Sequence, residues 1–468
     1  MLQHLLLLAV FTNGVTMAPT AFTCPTNHIT ITSGVSGVLP AGATDMVSVP
    51  KGVDCTYKFD MPTGYALKLS TKSTYNPSKD DMINFNNDYY LDTYGENFYT
   101  DFAVGNTVTL EVRANSDAVK FIAKYSFVDM SHYTQKNFTT GQYFSTTIEK
   151  NKYYTIWASE GDHVSMRVSD RAGSTIVDFQ PTHVFVYEGP DISLKYYLGR
   201  LSKIERDFWY SDDRSLTFVN LYEDETSNSI ILGNDFSKVK DYETYFVEWV
   251  DPTISTPLWI GSPNLRTEDN FAYTIICEKC DNFYLSSFDF DNRTADDGYI
   301  TIQGMTPTDN LSPLITYQYN QYSLPTDSLP QYIPARIVTV YTKRAYAKIL
   351  MSADMNQQWL APYYHRNGVL AAPKSWDPIN EQKFDYTFKD GKGGRYNYRL
   401  SIDSVALGSG DKLTMTIGSG NGIPVFTKTL TSIDSKGLNY GATGEYLTVS
   451  YQGSEGNDLK MKFYSFQP

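Results

Sequence analysis

Histidine is scarce and dispersed, with six in 468 residues. His4 stands near the N-terminus. His28, His132, His163, His183 and His365 are scattered, which suits ordinary strand or loop positions better than a catalytic cluster. No His-Glu-x-x-His, Gly-x-Ser-x-Gly or P-loop pattern occurs, so the sequence signatures of zinc proteases, α/β-hydrolases and nucleotide binders are missing. Basic residues are outnumbered: 39 Lys and Arg against 52 Asp and Glu give a net charge of −13. No basic run overrides that balance, which argues against the phosphate-neutralising surface of a nucleic-acid binder. Long apolar runs are lacking too. The stretch Leu5 to Phe11 is too short to span a bilayer, and no later segment approaches spanning length. The tail "LKMKFYSFQP" lacks the hydrophobic stretch of a glycolipid-anchor signal. A non-enzymatic protein with no nucleic-acid partner and no transmembrane segment is the expectation. Carboxylates are plentiful, so a glycan hydrolase built on an acid pair assembled by the fold stays open as an alternative.

What is present begins with "MLQHLLLLAVFTNGVTMAPTAF". Its short apolar core, followed by small residues between Gly14 and Thr20, predicts a secretory signal over residues 1–18 and a secreted, soluble mature chain. In an oxidising compartment an even number of cysteines implies disulfides, and four allow three pairings. Cys24 with Cys55 and Cys277 with Cys280 is the pairing that keeps both bridges local. The Cys-x-x-Cys of "YTIICEKCDNFYLSS" admits a redox dithiol, half a zinc site or a stitched turn. A redox pair sits at a helix N-terminus, whereas the flanks here read as strands. Zinc needs two more ligands, and the other cysteines stand alone. A structural disulfide across a turn is the expectation. Asn137 in "NFT" and Asn292 in "NRT" are glycosylation acceptors, and Asn310 in "NLSP" is a poorer one.

Tyrosine is abundant at 37 residues, and aromatics favour pleated, half-buried surfaces. Aligned on one tyrosine, the chain repeats four times. Tyr57, Tyr154, Tyr273 and Tyr386 correspond, and Phe59, Ile156, Ile275 and Phe388 follow two residues on. Gly64, Gly161, Cys280 and Gly393 stand seven residues on. Paired apolar or aromatic positions come next: Leu67 and Leu69, Val164 and Met166, Phe283 and Leu285, Tyr396 and Tyr398. Period-two alternation around a glycine predicts a β-hairpin. A second pair of strands recurs some 50 to 64 residues after each tyrosine, as in "TVTLEVRANSDAVKFIAKYSF". The fold class expected is all-β, with tandem antiparallel β-sandwich units at 19–130, 131–252, 253–361 and 362–468. The linkers near Met130, Pro252 and Ala361 are short, which favours fixed packing over free beads.

"CPTNHITITSGVSGVLPAGATDMVSVPKGVDCTYKF", followed by "GYALKL" and an acidic stretch, resembles the first half of a CUB domain. More closely it resembles the divergent CUB-like family of secreted nematode proteins. "THVFVYEGPD" and "FDFDNRTADDGYITIQG" are similar to CUB strand segments, and the resemblance is fullest over residues 24–130. It implies jelly-roll-like sandwiches, an extracellular location, no catalysis and a part in intestinal responses to infection or stress. Some CUB domains hold calcium at an acidic edge. Asp80 and Asp81 of the first unit align with Asp296 and Asp297 of the third, which adds Asp289 and Asp291. Calcium at Asp289, Asp291, Asp296 and Asp297 is therefore one expectation, and a solvated acidic loop is the other. "YNPSKDDMINFNNDYYLDTYGENFY" offers Tyr75, Asn87, Tyr89, Tyr90 and Tyr94 as a loop that stacks on sugars, against the alternative that its aromatics simply pack. The partners expected are an extracellular glycan, a microbial surface or a secreted protein. A passive matrix or mucus component is the other reading.

Overall fold

The computed structural model describes residues 22–85, 89–90, 97–171, 181, 183–204, 209–222, 227–251, 257–264, 270–277, 279–321, 325–454 and 456–468. The expected signal segment, Asn87 and Tyr94 lie outside the described residues, as do the side chains of Tyr89 and Tyr90. The chain forms two compact units. One runs to Thr134 and includes Ile192–Tyr197; the other takes Gln135–Asp191 and Leu198–Pro468.

The described strands make eight sheets, two for each of four sandwiches. In the first, one sheet runs Ile29–Thr30, Val53–Asp60, Thr107–Ala114, Met82–Phe85, Tyr89–Tyr90 in spatial order. The facing sheet runs Ser36–Leu39, Lys120–Asp129, Tyr65–Thr74, Tyr99–Ala103, with Val47–Ser48 pairing beside Lys120. In the second, Thr134–Thr139, Lys152–Trp157, Ser215–Asn220, Val184–Glu188 and Tyr197–Arg200 face Tyr143–Ser145, Ser229–Asp235, Val164–Asp170 and Trp209–Tyr210. In the third, Thr244–Val250, Asn270–Cys277, Ile337–Lys343, Tyr299–Gly304 and Ile315–Gln318 face Leu258–Gly261, Tyr346–Ser352, Phe283–Phe290 and Gln331–Ile333. In the fourth, Lys383–Lys389, Tyr446–Gln452, Lys412–Gly418 and Pro424–Leu430 face Arg366–Ala371, Asp458–Phe466, Tyr396–Ala406 and Asp434–Gly444. With Val47–Ser48 set aside, the first three orders are identical, and the fourth differs only in lacking the first strand among its described residues. Two four-strand sheets wound this way make a jelly roll.

The four tyrosines fall on equivalent strands, and so do the paired apolar positions that follow them. They do not form a hairpin, however. Val53–Asp60 pairs with Thr107–Ala114, while Tyr65–Thr74 pairs with Lys120–Asp129 in the opposite sheet. The turn at Gly64, where φ is 81°, therefore arches across the core. Period-two alternation fixes which face of a strand is buried, and that face is the same whether the next strand lies beside it or opposite it. Phe59 and Leu67 meet in one buried cluster that draws on both sheets. The later recurring strands are the closing partners of this arch, one in each sheet.

Parallel pairings among the described strands include Ile29–Thr30 with Phe59 and Asp60, and Thr244–Val250 with Phe271–Cys277. The second corrects the sequence division at residue 252, because Thr244–Val250 belongs to the third sandwich's sheet. Its outward residues Tyr245, Val247 and Trp249 share a buried cluster with Ile230 and Leu232 of the second sandwich and Ile276 and Ile337 of the third. The strand is thus both the edge of one sheet and the contact surface for another. Polar groups complete that joint. The Tyr245 hydroxyl donates to Thr274 Oγ1 at 2.7 Å and receives Asn234 Nδ2 at 3.0 Å, while Arg167 Nε donates to the Tyr245 carbonyl at 3.0 Å.

The third and fourth sandwiches are joined as closely. Gln331, fully buried, donates Nε2 to the Val369 carbonyl at 3.0 Å and accepts the Val369 N–H at 2.8 Å, copying a strand pairing with a side chain. The Arg366 guanidinium donates to the carbonyls of Leu329, Pro330 and Trp359 at 2.7, 2.8 and 3.0 Å. A Cβ at Gly304 would stand 1.6 Å from the Trp376 carbonyl oxygen, so only glycine lets these backbones meet.

Candidate functional site

The outward face of the third sandwich's five-stranded sheet is divided in two. Its inward residues Ile300, Ile302, Val338 and Val340 are buried, so by alternation Tyr299, Thr301 and Gln303 point out, with Thr339, Tyr341 and Lys343 beside them. Register sets them in rows: Asn270, Lys343 and Tyr299 in one, Ala272, Tyr341 and Thr301 in the next. A third row, Thr274, Thr339 and Gln303, is covered by Tyr245 and the second sandwich. The first two rows stay open and floor a cleft of about 390 Å³.

Two segments wall this cleft. One is the short helix Phe236–Val239, which carries Lys238, with Tyr242 just beyond it. The other is the turn Pro307–Asp309, ending at Asn310 in a left-handed conformation with φ 52°. A capping box holds that turn: the Asp309 carboxylate accepts the N–H and hydroxyl of Thr306 at 2.9 and 2.8 Å. Thr308 ties it to the second sandwich through Asn234 and the Asp235 N–H. The walls are therefore fixed by hydrogen bonds and not by loop chance.

Tyr242 and Tyr341 lie with ring centroids 5.5 Å apart at 33°. Burial raises both phenols above the ordinary tyrosine range, and the Tyr341 hydroxyl is in hydrogen-bond contact with Tyr242 and Gln303. Both phenols stay neutral and serve as hydrogen-bonding groups on apolar plates. The described lining residues include Asn270, Thr301, Gln303 and Asn310 but no carboxylate and no histidine. Aromatic faces beside amides and hydroxyls are suited to holding a polyhydroxyl ligand, and Lys238 and Lys343 add ammonium donors to the lining.

The residues expected from the sequence are distributed elsewhere. Cys24 is bonded to Cys55, and Cys277 to Cys280, each with Cα atoms 5.6 Å apart. The second bridge sits where a strand leaves one sheet for the other, in place of the arch glycine. The four aspartates do not gather. Asp291 takes both Nε and Nη2 of Arg293, at 2.6 and 2.9 Å, which holds its carboxyl down at about 2. Asp297 pairs with Arg344, Asp296 accepts Asn320 Nδ2 at 3.2 Å, and Asp289 faces Lys348 across a strand pair. No group of three or more His, Cys, Asp or Glu side chains suited to a metal exists among the described residues. The structure thus pairs Asp291 and Asp297 with arginines and does not bring the four aspartates together around one point.

In the first sandwich Asp81 is buried. Burial pushes its carboxyl up, but donors from Ser116, Asn76 and Asn115 outweigh this and hold it below the usual range. It ties two loops together. Tyr75 is buried in the core of that sandwich, which corrects its reading as an exposed sugar platform. Asn137 and Asn292 are exposed, the first accepting Trp157 Nε1 at 2.8 Å. Sequence reasoning missed the cleft, though "YITIQG" carried a usable sign: its outward positions pair an aromatic with an amide.

Residues 19–131 match the family model of the CUB-like domain. Such a domain is a binding-type module, and the Cys24–Cys55 bridge inside it fits an extracellular protein. Among characterised proteins no sequence matches. Among solved structures, the CUB1-EGF-CUB2 region of human MASP-1/3 aligns at 15% identity over 43% of this chain and 100% of that one, with a TM-score of 0.17. The corresponding rat MASP-1 region aligns at 9% identity over 47% and 99%, TM-score 0.17. A triple-jelly-roll protein from an archaeal virus turret aligns at 9% identity over 89% and 82%, TM-score 0.15. At such TM-scores the jelly-roll assignment rests on the strand order alone. No helix among the described residues is long and apolar enough to cross a membrane.

Proposed function

We propose that this protein is a secreted, non-catalytic binding protein that recognises glycans, including those of microbial surfaces, through clefts on its jelly rolls. The observation that carries this reading is the tyrosine-lined, amide-rimmed cleft over Tyr299 and Tyr341, whose described lining offers stacking and hydrogen bonds but no carboxylate or histidine. The CUB-like match over residues 19–131 supports an extracellular binding role, and the setting implied by the family resemblance, intestinal defence or stress, is consistent with it. Several sandwiches in one chain let weak sites add by avidity.

The test is binding of the purified protein to a glycan array and to whole bacteria, with calcium and then with chelator. Saturable, competable binding that survives chelation and weakens about tenfold in Tyr341→Ala is the expected result. No saturable binding to any glycan or cell would sink the reading and leave a passive matrix role. Turnover of a bound glycan would instead show an enzyme.

A further inference from the structure

The tyrosine cleft does not stand by itself. It shares Asn310, Leu311 and Pro313 with a second cleft of about 580 Å³, where the turn after Tyr299–Gly304 meets the fourth sandwich. That cleft in turn shares Leu314 and Lys460 with a third of about 350 Å³. Neighbours through these shared residues, the three clefts follow one another as a composite groove across two jelly rolls and together exceed the roughly 300–1,000 Å³ of a small-molecule pocket.

Charge along this groove runs opposite to the charge of the chain. Lys238 and Lys343 line the first cleft, Lys374 and Lys460 the second, and Lys460 and Lys462 the third. Only Asp458 and Asp403 oppose them within the described lining. Lys238, Lys343, Lys460 and Lys462 have no carboxylate partner among the described residues. Lys238 Nζ donates to Asn310 Oδ1 at 3.4 Å and Lys460 Nζ to the Pro313 carbonyl at 3.1 Å, contacts with neutral oxygens that leave both charges in place. Five lysines against two aspartates, in a protein of net charge −13, make a positive channel on a negative body. A concave surface lined by one sign of charge concentrates its field there. Tyrosines mark both ends: Tyr299 and Tyr341 at one, Tyr464 at the other.

We infer that this groove binds an acidic polysaccharide, a glycan strand bearing carboxylate or sulfate groups, laid from Lys343 to Lys462. The inference rests on the glycan reading above and names the ligand's chemistry. The extracellular setting that the two disulfides fit favours a glycan over a nucleic acid. Lys460 and Lys462 are alternate residues on one strand, so their anchors are about 7 Å apart on the same face.

The test uses the full chain and five immobilised probes: hyaluronan (carboxylate only), dextran sulfate (sulfate only), heparin (both), neutral dextran and oligo-dT. The expected result is saturable binding to at least one acidic glycan, at least tenfold tighter than to dextran or oligo-dT, and weakening with added salt. Hyaluronan against dextran sulfate tells which anionic group is read. Lys238→Gln/Lys343→Gln and Lys460→Gln/Lys462→Gln are each expected to weaken binding about tenfold and to flatten its salt dependence, with unchanged thermal midpoints. Equal binding to charged and neutral glycans, or binding indifferent to both lysine pairs, overturns the acidic ligand while leaving the glycan reading intact. Preference for oligo-dT overturns it in favour of a nucleic acid. If no glycan on the wider array binds either, both readings fall together.

Discussion

Arg366 is fully buried with no carboxylate beside it, and its replacement by methionine tests how the third and fourth sandwiches hold together. Its guanidinium donates to three carbonyls and to the Tyr363 hydroxyl, and its charge lies 5.0–5.8 Å from the ring centres of Trp359, Tyr363 and Phe463. Methionine fills most of the volume but donates nothing. The Leu329 carbonyl keeps the Tyr363 hydroxyl at 2.9 Å, whereas those of Pro330 and Trp359 lose this donor. Two buried carbonyls stripped of a partner cost about 1–3 kcal/mol each. Recovery of the guanidinium's desolvation offsets part of that. A loss of about 3 kcal/mol is expected, with Arg366→Lys intermediate because an ammonium reaches fewer of the carbonyls. Trp359 and Trp376 both lie at this joint, so tryptophan fluorescence during urea unfolding reports on it. A urea midpoint unchanged to within about 0.5 kcal/mol would refute the claim that this arginine fastens the two sandwiches, since that is the range of ordinary surface changes.

Gly304→Ala forces a methyl into the Trp376 carbonyl and is expected to destabilise the same joint by about 1–3 kcal/mol, read as a lower thermal midpoint and faster cleavage between the two sandwiches. The two disulfides should differ: with 31 residues between its ends, Cys24–Cys55 is expected to contribute about 4 kcal/mol, and Cys277–Cys280, spanning three, about 2, measured by comparing Cys→Ala pairs in denaturant. Burial pushes the phenols of Tyr57, Tyr273, Tyr284, Tyr317 and Tyr451 up to about 12. A raised pKa favours the neutral phenol in the fold, so that stability is complete below about pH 10 and is lost as pH rises through 12. Absorbance titration should show a tyrosine class that ionises only as the protein unfolds; a single transition near 10 would contradict their burial.

The repeat was readable because burial repeats: Tyr57, Tyr154, Tyr273 and Tyr386 occupy one strand position in four jelly rolls, and the strands after them begin where the apolar pairs begin. What alternation cannot carry is a strand's neighbour, which is why an arch between sheets was read as a hairpin. Thr244–Val250 was assigned to the wrong sandwich for a related reason: its buried face of Tyr245, Val247 and Trp249 packs toward the second sandwich, while its backbone pairs into the third sandwich's sheet. The cleft drew no attention because its floor and walls come from separate stretches around residues 238, 270, 299, 310 and 341, each reading as an ordinary polar strand face or turn. Nor does closeness in sequence show how the aspartates of the third unit are paired: Arg293 and Arg344 stand beside two of them.

The closing strands carry a consequence for biosynthesis. In the first jelly roll the last two strands in sequence, Thr107–Ala114 and Lys120–Asp129, do not lie at the edges; each sits between neighbours laid down much earlier. The other three are built alike, and in the last of them Asp458–Phe466 separates Arg366–Ala371 from Tyr396–Ala406 only residues before the end of the sequence. A nascent copy emerging at about 5–20 residues per second therefore spends seconds with both half-sheets split down the middle and their edges unpaired. The chain closes one jelly roll at a time, each sealed by its final two strands, and loss of Asp458–Phe466 would remove the centre of a sheet and not its margin.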